Sequence, residues 1–266
     1  MEFLALHYAE CRPPAALSDW VVCCWQSRGA PAQSLTHRVL PDGCTDLLLD
    51  VQEDTGWTCI GAMTTAVAID YHVGQCIDLL GLRLRPGGLR RLLGIATHEM
   101  TDQALALDAL AAPLARALPR AFLAQHSTLE QRAARLWPRL WSLAGADRDP
   151  LLSAVLPRLR AGSTTDGVAV LARDLGLSER TLERRFAAHS GYTPAQYRRL
   201  LRFRRLLQSL PAAGAPNWAG LALDAGYADQ PHMVREFGGF AGVSPQRWWR
   251  EQQLTGLQHD RTLMSV

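Results

Sequence analysis

The chain has 266 residues, enough for two ordinary domains, and an apolar content of 48% that allows a sizeable core. All 28 basic residues are arginine, which excludes chemistry that needs a lysine, such as a Walker A phosphate loop or a Schiff base. The sequence has neither a run of 18 apolar residues nor the pattern of a secretory leader, so we expect a cytoplasmic protein that does not enter a membrane.

Charge is distributed unevenly along the chain. Residues 1–150 hold 13 arginines against 16 acidic residues, a net charge of −3, whereas residues 151–266 hold 15 arginines against nine acidic residues, a net charge of +6. A concentration of basic residues is the electrostatic signature of contact with a polyanion. We therefore expect only the second half to meet one.

The first half begins with short β-prone segments separated by turn-forming residues, such as PDG at 41–43. The predicted strands cover residues 20–25, 37–40, 45–51, 57–60, 66–71 and 77–84. Several short strands at close spacing favour a small sandwich or barrel. The predicted helices that follow cover residues 89–93, 102–110, 113–123 and 129–143. Pro138 should kink or divide the last of them.

The segment AGADRDP at 144–150 is the best candidate for a domain boundary. We predict a sensor or regulatory domain at residues 1–146 and a second domain at residues 147–266, which opens with a helix at 151–160. The predicted fold class is α+β. A small sandwich-like or barrel-like β-domain with following helices precedes an all-helical domain.

The second domain contains one pattern twice. LARDLGLSERTLERRF at 171–186 and LALDAGYADQPHMVREF at 221–237 share apolar, glycine and helix-cap positions, with an offset of 50 residues that becomes 51 after the turn. In the first copy Gly176 ends a helix, Ser178 caps the next one, and Leu182 and Phe186 point inward at i and i+4. The matching residues of the second copy are Gly226, Asp229, Met233 and Phe237.

A short helix, a glycine turn and a second helix form a helix-turn-helix, whose second helix lies in the DNA major groove. A capping box at Thr193 and Gln196 predicts an arginine-rich helix at 194–210 that joins the two copies. One copy alone would fit an ordinary helical hairpin equally well. Two matched copies in the basic half of the chain favour double-stranded DNA as the partner.

Residues 155–251 resemble the DNA-binding domain of the AraC/XylS family of bacterial transcription regulators. The resemblance rests on LARDLGLSERTLERRFAAHSGYTPAQYRR and LALDAGYADQPHMVREFGGFAGVSPQRWWR, and the second stretch is similar to the family's C-terminal signature. The sequence departs from that signature at Met233, where phenylalanine is common, and at Trp248 and Trp249, where the family usually has tyrosine and arginine. The resemblance implies a sequence-specific transcription regulator.

It also implies that each second helix reads bases with its outer face. The implied base-reading residues are Arg180, Glu183 and Arg184 in the first copy and Gln230, His232 and Arg235 in the second. The side-chain chemistry agrees, because arginine can donate to guanine, glutamine can pair with adenine and glutamate can accept from cytosine. The candidate phosphate contacts, for which a solvated face is the alternative, are Arg198, Arg199, Arg202 and Arg205 of the joining helix.

HRVLPDGCTDLLLD at 37–50 and GLRLRPGGLRRLLG at 81–94 resemble the N-terminal domain that accompanies this type of regulator. In ligand-responsive members of the family, an N-terminal β-domain binds a small-molecule effector or mediates dimerisation. Asp46 and Arg85 are the candidate polar anchors of an effector, although each also fits an ordinary surface or turn position. The resemblance further implies a homodimer as a candidate assembly, and RNA polymerase as a partner if the protein is an activator.

A thiol or soft-metal sensor with the same DNA-binding domain is the alternative function. Cys23 and Cys24 are adjacent, but neighbouring side chains on a strand point to opposite faces, so buried free thiols are the plainer interpretation. An enzyme is not expected, since the sequence contains no G-x-S-x-G, H-E-x-x-H or glycine-rich phosphate loop. We predict no catalytic residue, no cofactor and no metal site.

Overall fold

The structure is a computed structural model that describes residues 7–53, 56–118, 127–143, 150–161, 167–211 and 214–255. The strands of the first half are β1 (His7–Cys11), β2 (Val21–Gly29), β3 (Leu35–Val39), β4 (Thr45–Asp50), β5 (Trp57–Ile60), β6 (Val67–Tyr71), β7 (Ile77–Leu84) and β8 (Ala104–Ala106). Its helices are α1 (Gly88–Leu93), a 3₁₀ helix (Thr97–Met100), α2 (Leu107–Ala117) and α3 (Leu129–Leu143).

Six of these strands form an antiparallel sheet in the order β1-β2-β7-β4-β5-β8, and β3 pairs with β6 in a separate ribbon. Side chains of the central strand β7 alternate between the two faces of the sheet. Leu80 and Leu82 are fully buried in a core to which α2 and α3 contribute. In the same region Arg132 of α3 donates from Nη1 and Nη2 to the two carboxylate oxygens of Asp78, at 2.8 and 3.0 Å, so this buried charge is paired.

Most predicted elements of the first half are confirmed, with the following differences. The helices predicted at 102–110 and 113–123 are joined in α2, with non-helical backbone at Ala111, and residues 119–123 lie outside the described residues. The 3₁₀ helix Thr97–Met100 was not predicted. Strand β1 was not predicted, and it pairs with β2 at the edge of the sheet. The predicted helix at 102–110 is wrong in its first part, because Ala104–Ala106 pairs with β5 and the helix begins only at Leu107. Pro138 does not divide α3, which runs through it as one helix. Pairing with a sheet edge outweighs the helix propensity of alanine and leucine in this segment.

The helices of the second half are α4 (Pro150–Arg160), α5 (Val168–Asp174), α6 (Glu179–Ser190), α7 (Pro194–Gln208), α8 (Trp218–Asp224), α9 (Gln230–Ala241) and α10 (Pro245–Thr255). They share a core that includes Phe186, Phe203, Phe237 and Trp248, all at most 2% exposed. Leu151 of α4 belongs to the same core. Residues 144–149, most of the predicted boundary segment, lie outside the described residues. The α+β class, with a β-rich first half and a helical second half, is confirmed.

Candidate nucleic-acid interface

The repeat in the sequence forms two helix-turn-helix units. The first unit consists of α5 and α6, and the second consists of α8 and α9. Each turn contains a glycine with positive φ, 66° at Gly176 and 87° at Gly226. The same backbone bond closes both turns, from Leu177 N to Ala172 O and from Tyr227 N to Ala222 O, each at 2.9 Å. The two units therefore share their backbone as well as their apolar pattern.

The second helices of the two units, α6 and α9, are the candidate recognition helices, and both have 12 residues. The Ser178 hydroxyl accepts from the Thr181 N–H at 3.2 Å, and the Asp229 carboxylate accepts from the His232 N–H at 2.6 Å. Such N-caps satisfy backbone donors that have no partner within the helix. At the other end, Gly191 and Gly242 are C-caps with φ of 81° and 70°. The helix starts predicted at Ser178 and Asp229 are confirmed.

Each recognition helix buries one face and exposes the other. Leu182 and Phe186 of α6 are fully buried, as are Met233 and Phe237 of α9. The predicted base-reading residues Arg180, Glu183, Arg184 and Arg235 are exposed, while Gln230 and His232 are partly buried. Arg180, Glu183 and Arg184, at i, i+3 and i+4, thus share one accessible face of α6, whereas Gln230 and His232, two positions apart on α9, do not share a face. Their contact with bases stays a prediction.

The inner side of α9 also carries a charged residue that the sequence interpretation missed. Glu236 is 6% exposed and accepts hydrogen bonds from two arginines of α7. Although burial opposes the shift, the hydrogen bonds from Arg202 and Arg199 lower the pKa of Glu236 below its usual value. The pattern could have been noticed, because Glu236 lies three residues after the inward-facing Met233, on the same side of the helix, where a carboxylate needs a cation.

Two of the four candidate phosphate contacts are therefore already engaged within the protein. The Arg202 guanidinium binds Glu236 and lies 4.8 Å from the centre of the Tyr227 ring. Arg199 binds the same carboxylate but keeps about half of its side chain exposed, at 53%. Arg198 and Arg205 are partly buried, and Arg205 Nε lies 3.4 Å from the Leu201 carbonyl oxygen. Binding of phosphate by these arginines stays a prediction.

The first half of the chain contacts the C-terminal end of α6. Gly87 N donates to the His189 carbonyl at 2.8 Å, and Thr97 Oγ1 donates to the same oxygen at 3.0 Å. Thr101 Oγ1 donates to the Gly191 carbonyl at 2.9 Å. These bonds satisfy carbonyl groups that the end of a helix leaves without partners. The first recognition helix is thus held partly by the first half.

The joining helix α7 is bound to the first half as well. The Arg204 side chain, in a residue that is 4% exposed, donates from Nη1 to the Asp42 carbonyl at 2.9 Å. Asp42 belongs to the PDG turn, and its neighbour Gly43, at φ 86°, packs so closely on Tyr197 that an added Cβ would lie 3.0 Å from the ring. The turn at 41–43 therefore has a structural partner in α7.

The first half makes fewer hydrogen bonds to the second unit and to α10 in the described residues. Ala66 N donates to the Phe240 carbonyl at 2.7 Å, and Arg38 Nε donates to Glu251 of α10 at 2.8 Å. Neither bond reaches the cap at Gly242. A Cβ added to Gly242 would have no neighbouring atom of the described residues within 4 Å. The C-terminal cap of α9 is therefore more open than that of α6.

The predicted effector anchors Asp46 and Arg85 have different partners. Arg85 Nε donates to the Ser18 carbonyl at 2.9 Å. Asp46 accepts from Trp25 Nε1 at 2.8 Å and lies 3.4 Å from Nε of Arg83, the residue opposite it on β7. The sequence interpretation missed Arg83 because it treated GLRLRPGG as one motif and did not use the alternation of the strand.

Arg83 lies at the centre of a buried polar cluster. Its Nε is 3.5 Å from Asp42 Oδ2, and its guanidinium carbon is 6.0 Å from the centre of the Trp25 ring. Within the described residues its Nη1 is buried without a hydrogen-bond acceptor. Trp25 lies flat against Gly81, where an added Cβ would be 2.0 Å from the indole. Burial raises the pKa of Asp46, and Arg83 acts in the opposite direction.

The adjacent thiols Cys23 and Cys24 are buried on opposite faces of β2. Cys23 is opposite Arg83 and Cys24 is opposite Leu82. Burial raises the pKa of both thiols, which disfavours the thiolate that reacts with oxidants or binds metals.

The described residues contain no group of three or more His, Cys, Asp or Glu side chains that could hold a metal ion. Among the helices that the structure describes, none is both long and apolar enough to span a membrane.

The two halves of the chain match two different protein families. Residues 171–251 match a family described as a helix-turn-helix domain, and residues 9–106 match a family described as a domain of unknown function (DUF6597). No curated protein matches the sequence.

Two solved structures of ToxT from Vibrio cholerae are similar to the chain. One has 8% identity over 94% of this chain and 99% of that chain, with a TM-score of 0.43. The other, with a bound unsaturated fatty acid, has 10% identity over 98% and 99%, with a TM-score of 0.41.

Proposed function

We propose that this chain, whose residues 171–251 form a helix-turn-helix domain of the AraC type, regulates transcription by reading two adjacent major grooves with α6 and α9. One observation supports this function above the others. The two units have the same turn geometry, with caps and buried apolar residues at matching positions, yet their accessible faces differ in chemistry. A structural repeat would need the shared skeleton only, whereas two DNA readers need both features.

The first reader offers two guanidinium groups and a carboxylate. Arg180 and Arg184 can each donate two hydrogen bonds to guanine, and Glu183 can accept from cytosine. The second reader offers Gln230, which can pair with adenine, together with His232 and Arg235. We therefore expect two unrelated subsites in direct order, rather than a palindrome. Successive major grooves on one face of DNA are about 34 Å, or about 10 base pairs, apart.

Selection of bound sequences from random duplex DNA, with the purified full chain, tests this function. The expected result is two short motifs separated by roughly one helical turn, about 10 base pairs. Arg184→Ala should relax base preference in one motif, and Arg235→Ala should relax it in the other. If no motif is enriched, or if both variants lose preference at the same base pairs, the two-reader function is wrong.

We also propose that a small-molecule effector acts at the Arg83 cluster. Arg83 offers a buried donor without an acceptor among the described residues, and Asp46 offers a carboxylate. An effector with both a hydrogen-bond acceptor and a hydrogen-bond donor would satisfy these groups. Asp42 connects the cluster to α7, because its side chain faces Arg83 and its carbonyl accepts from Arg204.

A matched pair of variants tests this effector site. A library of small metabolites is screened for compounds that raise the melting temperature of the full chain. Arg83→Gln should abolish the increase for a true effector, whereas Arg85→Gln should leave it intact, because Arg85 contacts the Ser18 carbonyl instead. Loss of the response in Arg85→Gln alone would return the site to the anchor predicted from sequence.

A further inference from the structure

Glu236 lies on a recognition helix but faces the interior of the DNA-binding half. It immediately precedes Phe237, which is fully buried against Phe203 of α7 with ring centres 5.2 Å apart. A carboxylate beside such an apolar contact is destabilising unless it is paired and hydrogen-bonded. Its retention in the interior therefore needs a reason beyond packing.

The pairing of Glu236 with α7 is directional. Arg202 donates from Nε to Oε1 at 3.0 Å, and its Nη2 lies 2.9 Å from Oε1 and 2.8 Å from Oε2. Arg199 Nε donates to Oε2 at 2.8 Å. A two-pronged contact between a guanidinium and a carboxylate restricts both distance and orientation. The burial of apolar surface is not directional, so these ion pairs restrict the roll of α9 about its own axis more closely than burial alone does.

The same contacts lead to the base-reading face. Glu236 follows Arg235 directly and lies one turn after His232, whose Nε2 is 3.9 Å from Glu236 Oε2. The His232 ring also packs edge-on against Tyr227, with centres 5.5 Å apart, and Tyr227 in turn faces the Arg202 guanidinium. A small rotation of α9 would therefore move two predicted base-reading residues relative to the groove.

The first unit does not repeat the carboxylate of this pairing. The residue 51 positions before Glu236 is Arg185, whose charge has the opposite sign. The C-terminal end of α6 is held by the bonds from Gly87, Thr97 and Thr101. The second recognition helix thus carries its own attachment to α7.

From this geometry we propose that Glu236 is a positioning residue for the second reader. Its ion pairs with Arg202 and Arg199 fix the roll of α9 on α7, and so fix the phase of the second DNA subsite relative to the first. The inference rests on the proposed two-reader function. It adds that operator spacing is set by a carboxylate that does not touch DNA.

The test measures affinity for operators in which the two selected subsites are moved apart or together by one and two base pairs. Each added pair shifts and rotates the second subsite by about a tenth of a turn. We expect the wild-type chain to lose about tenfold in affinity at one pair from the optimum. Glu236→Gln and Arg202→Lys should flatten this profile, with the ratio between best and shifted operators falling about threefold or more.

The ratio separates positioning from simple destabilisation. A variant with less folded protein binds every operator more weakly by the same factor, so its ratio stays at the wild-type value. Asp174→Asn is the matched control, because it removes one negative charge and one ion pair, with Arg158, on α5. It should change affinity equally at all spacings.

Two outcomes contradict different parts of the model. If the wild-type chain selects two subsites but both Glu236→Gln and Arg202→Lys keep the wild-type ratio, the positioning role is wrong and the two-reader function stands. If the wild-type chain shows no spacing preference at all, the two-reader function itself is wrong. Circular dichroism of each variant checks that the Lys substitution at position 202 and the Gln substitution at position 236 leave the helices folded.

Discussion

The first and second helix-turn-helix units have one skeleton and two different supports. Both have a glycine turn, an N-cap hydrogen bond and a 12-residue recognition helix that ends at a glycine of positive φ. The end of α6, however, is bonded to the first half of the chain, whereas α9 is bonded through Glu236 to α7. The comparison teaches that the two units share the residue positions that make the motif fold and differ in the contacts that hold each motif in place.

This difference suggests a division of labour between the two readers. A change in the first half acts directly on the cap of α6, through the carbonyls of His189 and Gly191. The second reader is attached within the DNA-binding half and should respond less. An effector that changes the first half should therefore alter binding at the first subsite more than at the second.

The largest expected effect comes from the two C-terminal caps. An alanine in a left-handed conformation costs roughly 1–2 kcal/mol, which should apply to both Gly191→Ala and Gly242→Ala. At Gly191 the added Cβ would also lie 2.5 Å from the Ala62 Cβ of the first half, while at Gly242 it would meet nothing within 4 Å. Overpacking of this kind adds about 1–3 kcal/mol. Denaturant unfolding of the full chain should therefore show a clearly larger loss of stability for Gly191→Ala. Equal losses would mean that the contact between the halves is not formed in solution.

The second effect concerns the outer faces of the readers. Arg184→Ala and Arg235→Ala should each weaken specific binding by about 1–3 kcal/mol. Each loss should disappear when the base pairs of the matching subsite, and only those, are already mutated. Binding titrations with four operators, mutated in neither, one or both subsites, measure this double-mutant cycle. If Arg184→Ala is coupled to the subsite of Arg235, the assignment of readers to subsites is wrong.

The third effect follows from removing the first half. The fragment 147–266 should bind duplex DNA, and its affinity should fall by about 0.9 log unit per phosphate contact for each tenfold increase in salt. Hydrogen exchange should be faster at the end of α6 in the fragment than in the full chain, with little change in α9. Salt-independent binding, or equal changes in both helices, contradicts this expectation. The complementary fragment 1–146 should fold with β content and should not bind DNA.

The smallest effect is a pH dependence that belongs to the second unit. The pKa of Glu236 is lowered from its ordinary value of 4.5, so its contribution to stability is present above that pH and is lost as the pH falls through the lowered value. Thermal unfolding is measured from pH 7 to pH 3. The wild-type chain should have a higher melting temperature than Glu236→Gln at neutral pH, and this gap in melting temperature should shrink below about pH 4.5. The Asp78–Arg132 pair titrates in both proteins, so it cancels in the comparison. A difference that stays constant with pH would show that the Glu236 carboxylate is not the cause.

The sequence determined the local features of this protein because they depend on residues close together in the chain. Glycine at the turns and caps, Ser178 and Asp229 at the helix starts, and apolar residues at i and i+4 fixed the two units and their accessible faces. Short β-prone runs and turn residues likewise indicated six of the eight strands described.

Only the tertiary structure decided which residues meet across the chain. Strand β8 forms because β5 offers an edge to a segment with helical propensity, and the partner of Asp46 is Arg83, rather than Arg85, because β4 and β7 pair in that register. Glu236 finds Arg202, 34 residues away, and Thr101 finds Gly191, 90 residues away. A partner at such separation is set by packing geometry, which no local pattern encodes.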